Sequence, residues 1–124
     1  MTIAEAVERT DAMRPNQYTL PDKIKWLDGL DGQIWHEVVE THEGAEGRQF
    51  AGYSPDTDTG TELLVPEPYA LDVYVPYLQA RMDRENGEII KWNQSVTLYN
   101  AGYAAFRNWY NRTHLPRSGG GFRF

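Results

Sequence analysis

The sequence predicts a mainly α-helical fold: a small four-helix domain with an irregular or hairpin-like insertion between helices two and three and an extended C-terminal tail. Three observations carry this. Apolar residues recur at steps of three and four over four stretches, which is the spacing of one helix face. Recognisable start and stop residues bound those stretches. Residues 45–62 and 117–124 lack that period and are rich in turn formers or glycine.

Helix one opens on a capping-box pattern, Thr2 with Glu5, carries Ile3, Ala6, Val7, Thr10 and Met13 on one face, and stops at Arg14-Pro15-Asn16. Helix two opens at Thr19-Leu20-Pro21-Asp22, with proline near the first helical position and an acid near the positive end of the dipole. Its stripe is Ile24, Leu27, Leu30, Ile34 and Val38, widened by Trp35 and Val39, and it should end near His42-Glu43-Gly44. Gly29 and Gly32 each weaken it by roughly 1 kcal/mol relative to alanine, so a break is expected between Leu30 and Gln33.

The insertion, Ala45 to Glu62, reads as either irregular or hairpin-like, the second form having a short strand over Arg48–Tyr53, a dense turn at Ser54–Gly60, and Leu63-Leu64-Val65 pairing back. Pro66-Glu67-Pro68-Tyr69 then opens helix three, which bears Leu71, Val75, Leu78 and Met82 with Tyr74 and Tyr77 beside them; Pro76 predicts a kink. Asn86-Gly87 stops it. Helix four runs from about Glu88 to Arg112, and Ile89, Trp92, Val96, Tyr99, Tyr103, Phe106 and Tyr110 read as its core stripe. A second strip, Leu98, Ala101, Ala105 and Trp109, makes the helix apolar on more than one face, as burial against a neighbouring subunit requires. Gly102 beside it allows close approach of another backbone.

At 124 residues the expectation is one domain, residues 1–116, followed by a docking tail, residues 117–124. Met1-Thr2-Ile3-Ala4-Glu5 has neither a basic region nor an apolar run, so assembly in the cytosol without a membrane is expected. The net charge of −6 is uneven: residues 1–62 carry 13 acidic and 5 basic side chains, residues 63–124 carry 5 and 7. An acidic body argues against wrapping nucleic acid, which needs Lys and Arg on phosphates. Leu, Ile, Val and Phe supply only 25 residues, but 4 Trp and 8 Tyr compensate, a composition suited to a core completed by neighbours.

No catalytic, cofactor or metal site is expected. The absence of cysteine removes thiolate chemistry, and Ser54, Ser95 and Ser118 lack a Gly-x-Ser-x-Gly setting. Asp56-Thr57-Asp58-Thr59-Gly60-Thr61-Glu62 alternates carboxylates as calcium loops do but departs from the EF-hand spacing, and reads better as a solvated turn. His36 and His42 are six apart, not the four of a zinc-hydrolase helix. Gly119, Gly120 and Gly121 have no strand leading in and no Lys-Ser/Thr after them, so they read as a hinge. Arg117, Phe122, Arg123 and Phe124 around that hinge form a basic, aromatic segment that makes sense as a peptide docking into a partner.

Several segments taken together resemble a known family. They are Thr2–Ala6, Arg14–Tyr18, Lys23–Leu27, Leu30-Asp31-Gly32, Glu62–Tyr69, Asn86-Gly87-Glu88, Tyr99-Asn100 and Trp109–Pro116. The set looks like the head-tail connector, or adaptor, proteins of long-tailed bacteriophages. The resemblance implies a virion protein of the neck, between capsid portal and tail. Its copies would form a ring, typically of twelve, beneath the portal protein and receive the next neck or tail-completion protein. The segment Arg117, Gly119, Gly120, Gly121, Phe122, Arg123 and Phe124 would dock on the portal. Helices three and four, through Tyr74, Tyr77, Trp109 and Arg112, would supply the subunit interface. DNA would pass through the channel without specific binding, as an acidic lining permits. Two alternatives stay open: another neck component, such as a stopper or tail-completion protein, and a small helical DNA-binding or packaging subunit using the Arg-rich end.

Overall fold

Two threonines fix where the first two helices begin. In the computed structural model, which describes residues 1–117, the Thr2 hydroxyl accepts from the Glu5 N–H at 3.1 Å while the Glu5 carboxylate accepts from the Thr2 N–H at 2.9 Å. This starts α1, Ile3–Met13. Thr19 and Asp22 repeat the reciprocal cap at the head of α2, Leu20–Ile34. The break expected at Gly29 and Gly32 does not occur. Leu27, Leu30 and Ile34 stay buried across that stretch, and their packing outweighs the poor helix propensity of two glycines. The irregularity comes later, as a π-helical turn over Trp35–Val39, and the helix ends at Glu40, short of His42.

Helix α3, Ala70–Glu85, begins one residue after the expected Pro-Glu-Pro-Tyr signal and runs unbroken through Pro76. Gly87, with φ 72°, makes the turn into α4, Ile89–Thr113. The main fold class therefore stands as four helices.

Of its two expected forms the insertion takes the irregular one. Leu63 pairs with Met1 instead of with Arg48–Tyr53: Leu63 N–H donates to the Met1 carbonyl at 3.0 Å. Ile3 and Ala4 N–H donate to the carbonyls of Thr61 and Thr59 at 3.0 and 2.9 Å. The first N–H groups of a helix have no partner within it, and the 59–63 segment supplies acceptors to two of them in α1.

α3 is the central helix, packed against α1, α2 and α4. The core gathers Ile3, Ile24, Leu27, Leu30, Ile34, Val65, Val73, Leu78 and Met82; α4 adds Phe106 as its fully buried member, with Tyr99, Tyr103, Trp109 and Tyr110 packed half-buried against it. The expected core stripe of α4 therefore holds over Tyr99, Tyr103, Phe106 and Tyr110 and is corrected at its start. Ile89 is 71% exposed, Trp92 is exposed, and Val96, Tyr99, Tyr103 and Tyr110 are half-buried. The cause is geometric: α4 packs mainly on one helix, and α3 covers only one narrow side of it.

Candidate functional site

Asp31 is fully buried and holds three elements together. It lies on the same face of α2 as Leu27, Ile34 and Val38, a spacing that puts a carboxylate into the core. One carboxylate oxygen accepts from the Tyr74 hydroxyl of α3 at 2.7 Å. The other accepts from the Tyr53 hydroxyl at 2.6 Å and the Leu64 N–H at 3.0 Å. The Tyr74 oxygen in turn accepts from the Val65 N–H at 2.8 Å. Burial raises the Asp31 carboxyl above the usual carboxylate range, against the pull of the three donors. Burial and the Asp31 charge push both tyrosine hydroxyls well up, so they remain donors.

This corrects the expected role of Tyr74. It has no exposed surface, so it cannot meet a neighbouring subunit; it is a clamp between α3, α2 and the 53–65 segment.

The seam between α3 and α4 is unusually close. Pro76 has no N–H, and the acceptor it leaves unserved one turn back is the Asp72 carbonyl. A Cβ placed on Gly102 would lie 2.1 Å from that carbonyl oxygen. Only glycine lets α4 approach so far. The backbone that approaches Gly102 is therefore α3 of the same chain. Nearer the head of α4, the Ser95 hydroxyl donates to buried Asp83 at 2.8 Å, and the Arg14 guanidinium pairs with the same carboxylate. Ser95, Gly102 and Phe106 are the three buried residues of α4.

Around this seam α4 leaves two apolar surfaces uncovered. On one side an open groove of about 580 Å³ lies between α1, α3 and α4, lined by Met13, Leu71, Val75, Leu98, Ala101 and Ala105, with Arg9 and Asp72 also on its walls. Elsewhere, the first turn of α4 presents Ile89, Ile90 and Trp92; Ile90 is 76% exposed. Sequence reasoning placed Leu98, Ala101 and Ala105 on a subunit face but missed the share of α1 in the groove and assigned Ile89 to the core.

The other expected interface residues are scattered. Tyr77 is half-buried, its ring 5.4 Å from Tyr99. Trp109 is half-buried between Tyr69 and His114, at 5.4 and 5.9 Å. Arg112 is exposed and forms no ion pair among the described residues.

After α4 the chain is clipped to the far end of α2. Glu43 N–H donates to the Leu115 carbonyl at 2.7 Å and Arg117 N–H to the Thr41 carbonyl at 3.0 Å. Beside this clip, His42 Nε2 lies 2.8 Å from the Asn111 side-chain oxygen and the His42 ring meets Tyr110 edge-on. Arg117, expected to begin the tail, therefore has its backbone fixed to the body, with its side chain 4.0 Å from Glu46. Gly119, Gly120, Gly121, Phe122, Arg123 and Phe124 lie outside the described residues.

Ser54–Gly60 closes on itself: Asp58 accepts from the Gly60 N–H at 2.8 Å, and the Thr57 hydroxyl from the Ser54 N–H at 2.8 Å. Among the described residues no three His, Asp or Glu side chains gather as a metal site would need, and no helix is long and apolar enough to cross a membrane. What the arrangement offers is surface. No family model, curated protein or solved structure matches this chain.

Proposed function

We propose that this chain is a structural subunit of a bacteriophage neck, a head-tail connector that works by assembly. In this reading its copies close into a ring under the capsid portal. Residues 117–124 dock on the portal, the body receives the next neck or tail-completion protein, and DNA passes through the central channel. The observation that carries the reading is the bareness of α4. A helix of 25 residues buries only three of them and leaves isoleucine, tryptophan and leucine side chains in water. Together with the apolar groove that α4 shares with α1 and α3, exposed side chains of that kind mark a partner-binding surface, and a ring supplies a partner for every copy. The sequence segments shared in pattern with connectors support the same lineage, and the Gly-rich, Phe-ended terminus suits a docking peptide.

The test is assembly with a purified bacteriophage portal ring. The full chain is expected to join that portal as a ring visible in particle images. Removing residues 118–124 is expected to abolish attachment while leaving the helical circular-dichroism spectrum unchanged. A chain that stays monomeric and indifferent to the portal at high concentration overturns the proposal, and attachment that survives the deletion removes the terminal segment from it.

A further inference from the structure

We propose that a second, smaller pocket between α3 and the first half of α4 binds a small aromatic oxyanion, a flat ring carrying a phosphate or a carboxylate. The inference goes beyond the connector reading and does not rest on it.

The cations carry the first part of the argument. Arg81 and Arg84 stand one turn apart on α3, and both line the pocket. Neither guanidinium takes part in an ion pair among the described residues. Glu85 follows Arg81 at the spacing where helix ion pairs form, yet the Arg81 guanidinium lies over the Trp26 ring instead, 5.6 Å from its centre. Arg81 Nε is the one buried side-chain nitrogen or oxygen without a hydrogen-bond partner among the described residues. A buried donor without an acceptor is costly, so packing on the indole, not a carboxylate of this chain, holds the group in place while its outer nitrogens stay clear of the core. A planar fork held in that way suits an incoming phosphate or carboxylate, which it can meet through two parallel hydrogen bonds.

The walls supply the place for a ring. On the α4 side Trp92 is 37% exposed. Tyr77 and Tyr99 stand across the α3/α4 seam with ring centres 5.4 Å apart. Flat rings stack on side chains of this kind, and the amide of Asn100, also in the lining, offers both a donor and an acceptor to a ring edge. No aspartate or glutamate contributes to the lining, in a chain whose net charge is −6. An anion entering the pocket therefore meets two arginines and three aromatic side chains, and no carboxylate. Size sets the remaining limit. The volume is about 220 Å³, below the roughly 300–1,000 Å³ of sites that take drug-sized ligands, so it fits one ring system with its charged group at the mouth.

The chain's four tryptophans give four indole N–H signals in a nitrogen–proton NMR spectrum, and the full-length Trp92→Leu protein identifies the one from Trp92. The full-length wild type is titrated with deoxyadenosine 5′-monophosphate and, separately, with indole-3-acetate. At least one of them is expected to move the Trp92 signal to saturation, at concentrations at least about tenfold below those needed for sodium phosphate or for uncharged deoxyadenosine. A response to the nucleotide alone assigns a phosphate-bearing ring, a response to the acid alone a carboxylate-bearing one, and a response to both their shared chemistry. The absence of a saturable shift with either overturns the proposal. An equal response to sodium phosphate, which means charge alone, or to deoxyadenosine, which means stacking alone, overturns it too.

Two variants locate the site. Arg84→Gln changes an exposed side chain and is expected to keep the wild-type melting temperature while weakening binding at least about tenfold. Leu98→Ser, in the groove on another side of α4, is expected to leave binding unchanged. Binding untouched by Arg84→Gln, or lost in Leu98→Ser, overturns the proposal. These measurements are made on the isolated chain, so their failure leaves the connector reading standing, and failure to join a portal leaves the pocket standing.

Discussion

α2 and α4 are both amphipathic by sequence, yet the fold uses them in opposite ways. Of the 15 residues of α2, seven are buried, including a lysine and an aspartate; of the 25 residues of α4, three are buried. The difference lies in the neighbours. α2 lies between α1, α3 and the 53–65 segment, so its polar groups on the inner face acquire partners: Lys23 meets Asp11 at 2.9 Å and Asp31 meets two tyrosines. α4 has one main neighbour, and the rest of its circumference faces outward. One helix specifies the interior, and the other displays a surface. Apolar periodicity is common to both and does not distinguish them.

The comparison breaks most visibly at the anchors. Phe106→Ala should cost about 3–5 kcal/mol, because the only fully buried aromatic of α4 is removed from the core; urea denaturation of the monomer measures it. Asp31→Ala should cost about 3–4 kcal/mol by leaving the Tyr53 and Tyr74 hydroxyls and the Leu64 N–H without their acceptor. A loss below 1 kcal/mol at either position would dissolve the contrast between interior and display helix.

Gly102→Ala comes next, at about 1–3 kcal/mol, since the new methyl would overlap the Asp72 carbonyl and push α4 outward. Thermal melting reports the loss, and increased binding of a hydrophobic dye reports the opened seam.

The pH dependence of α2 is smaller but has a defined sign. The folded state raises the Asp31 carboxyl, so in the window just above about pH 4 the folded chain holds a proton that the unfolded chain has released. Its contribution is therefore full below that window and declines as pH rises through it. The stability of wild type minus that of Asp31→Asn, measured by urea midpoints from acid to neutral pH, should fall as pH increases. A difference that rises with pH would show that the three donors outweigh burial.

The smallest effect belongs to the display surface: Ile89→Ser and Ile90→Ser should move monomer stability by no more than about 0.5 kcal/mol. A large loss there would place the first turn of α4 in the interior after all.

Much of this architecture was legible because its causes are local. The capping box at Thr2, the start signal at Thr19, the turn at Gly87 and the four helical stretches follow from residues within a few positions of one another. Asp31 was half legible: its register with Leu27, Ile34 and Val38 places it inside, but its donors at Tyr53, Leu64 and Tyr74 are set by how a loop and a third helix pack. That is also why Tyr74 read as a surface residue. The break expected at Gly29 and Gly32 failed because tertiary burial overrode an intrinsic cost of the same order as a single core contact. The groove was invisible from α4 alone, since Arg9 and Met13 reach it only through the docking of α1.

Pro76 and Gly102 have a consequence for how this chain can change over generations. Each is a poor helix residue by itself, proline by about 3 kcal/mol and glycine by about 1 relative to alanine, and each is accommodated because the other is present. The proline leaves a carbonyl without its helical donor; the glycine lets a second helix cover it. A lineage that exchanges the glycine first meets a backbone collision, whereas one that exchanges the proline first restores the missing helical bond and relaxes the seam. Substitutions at the two positions should accordingly occur in one order, with the proline leaving before the glycine.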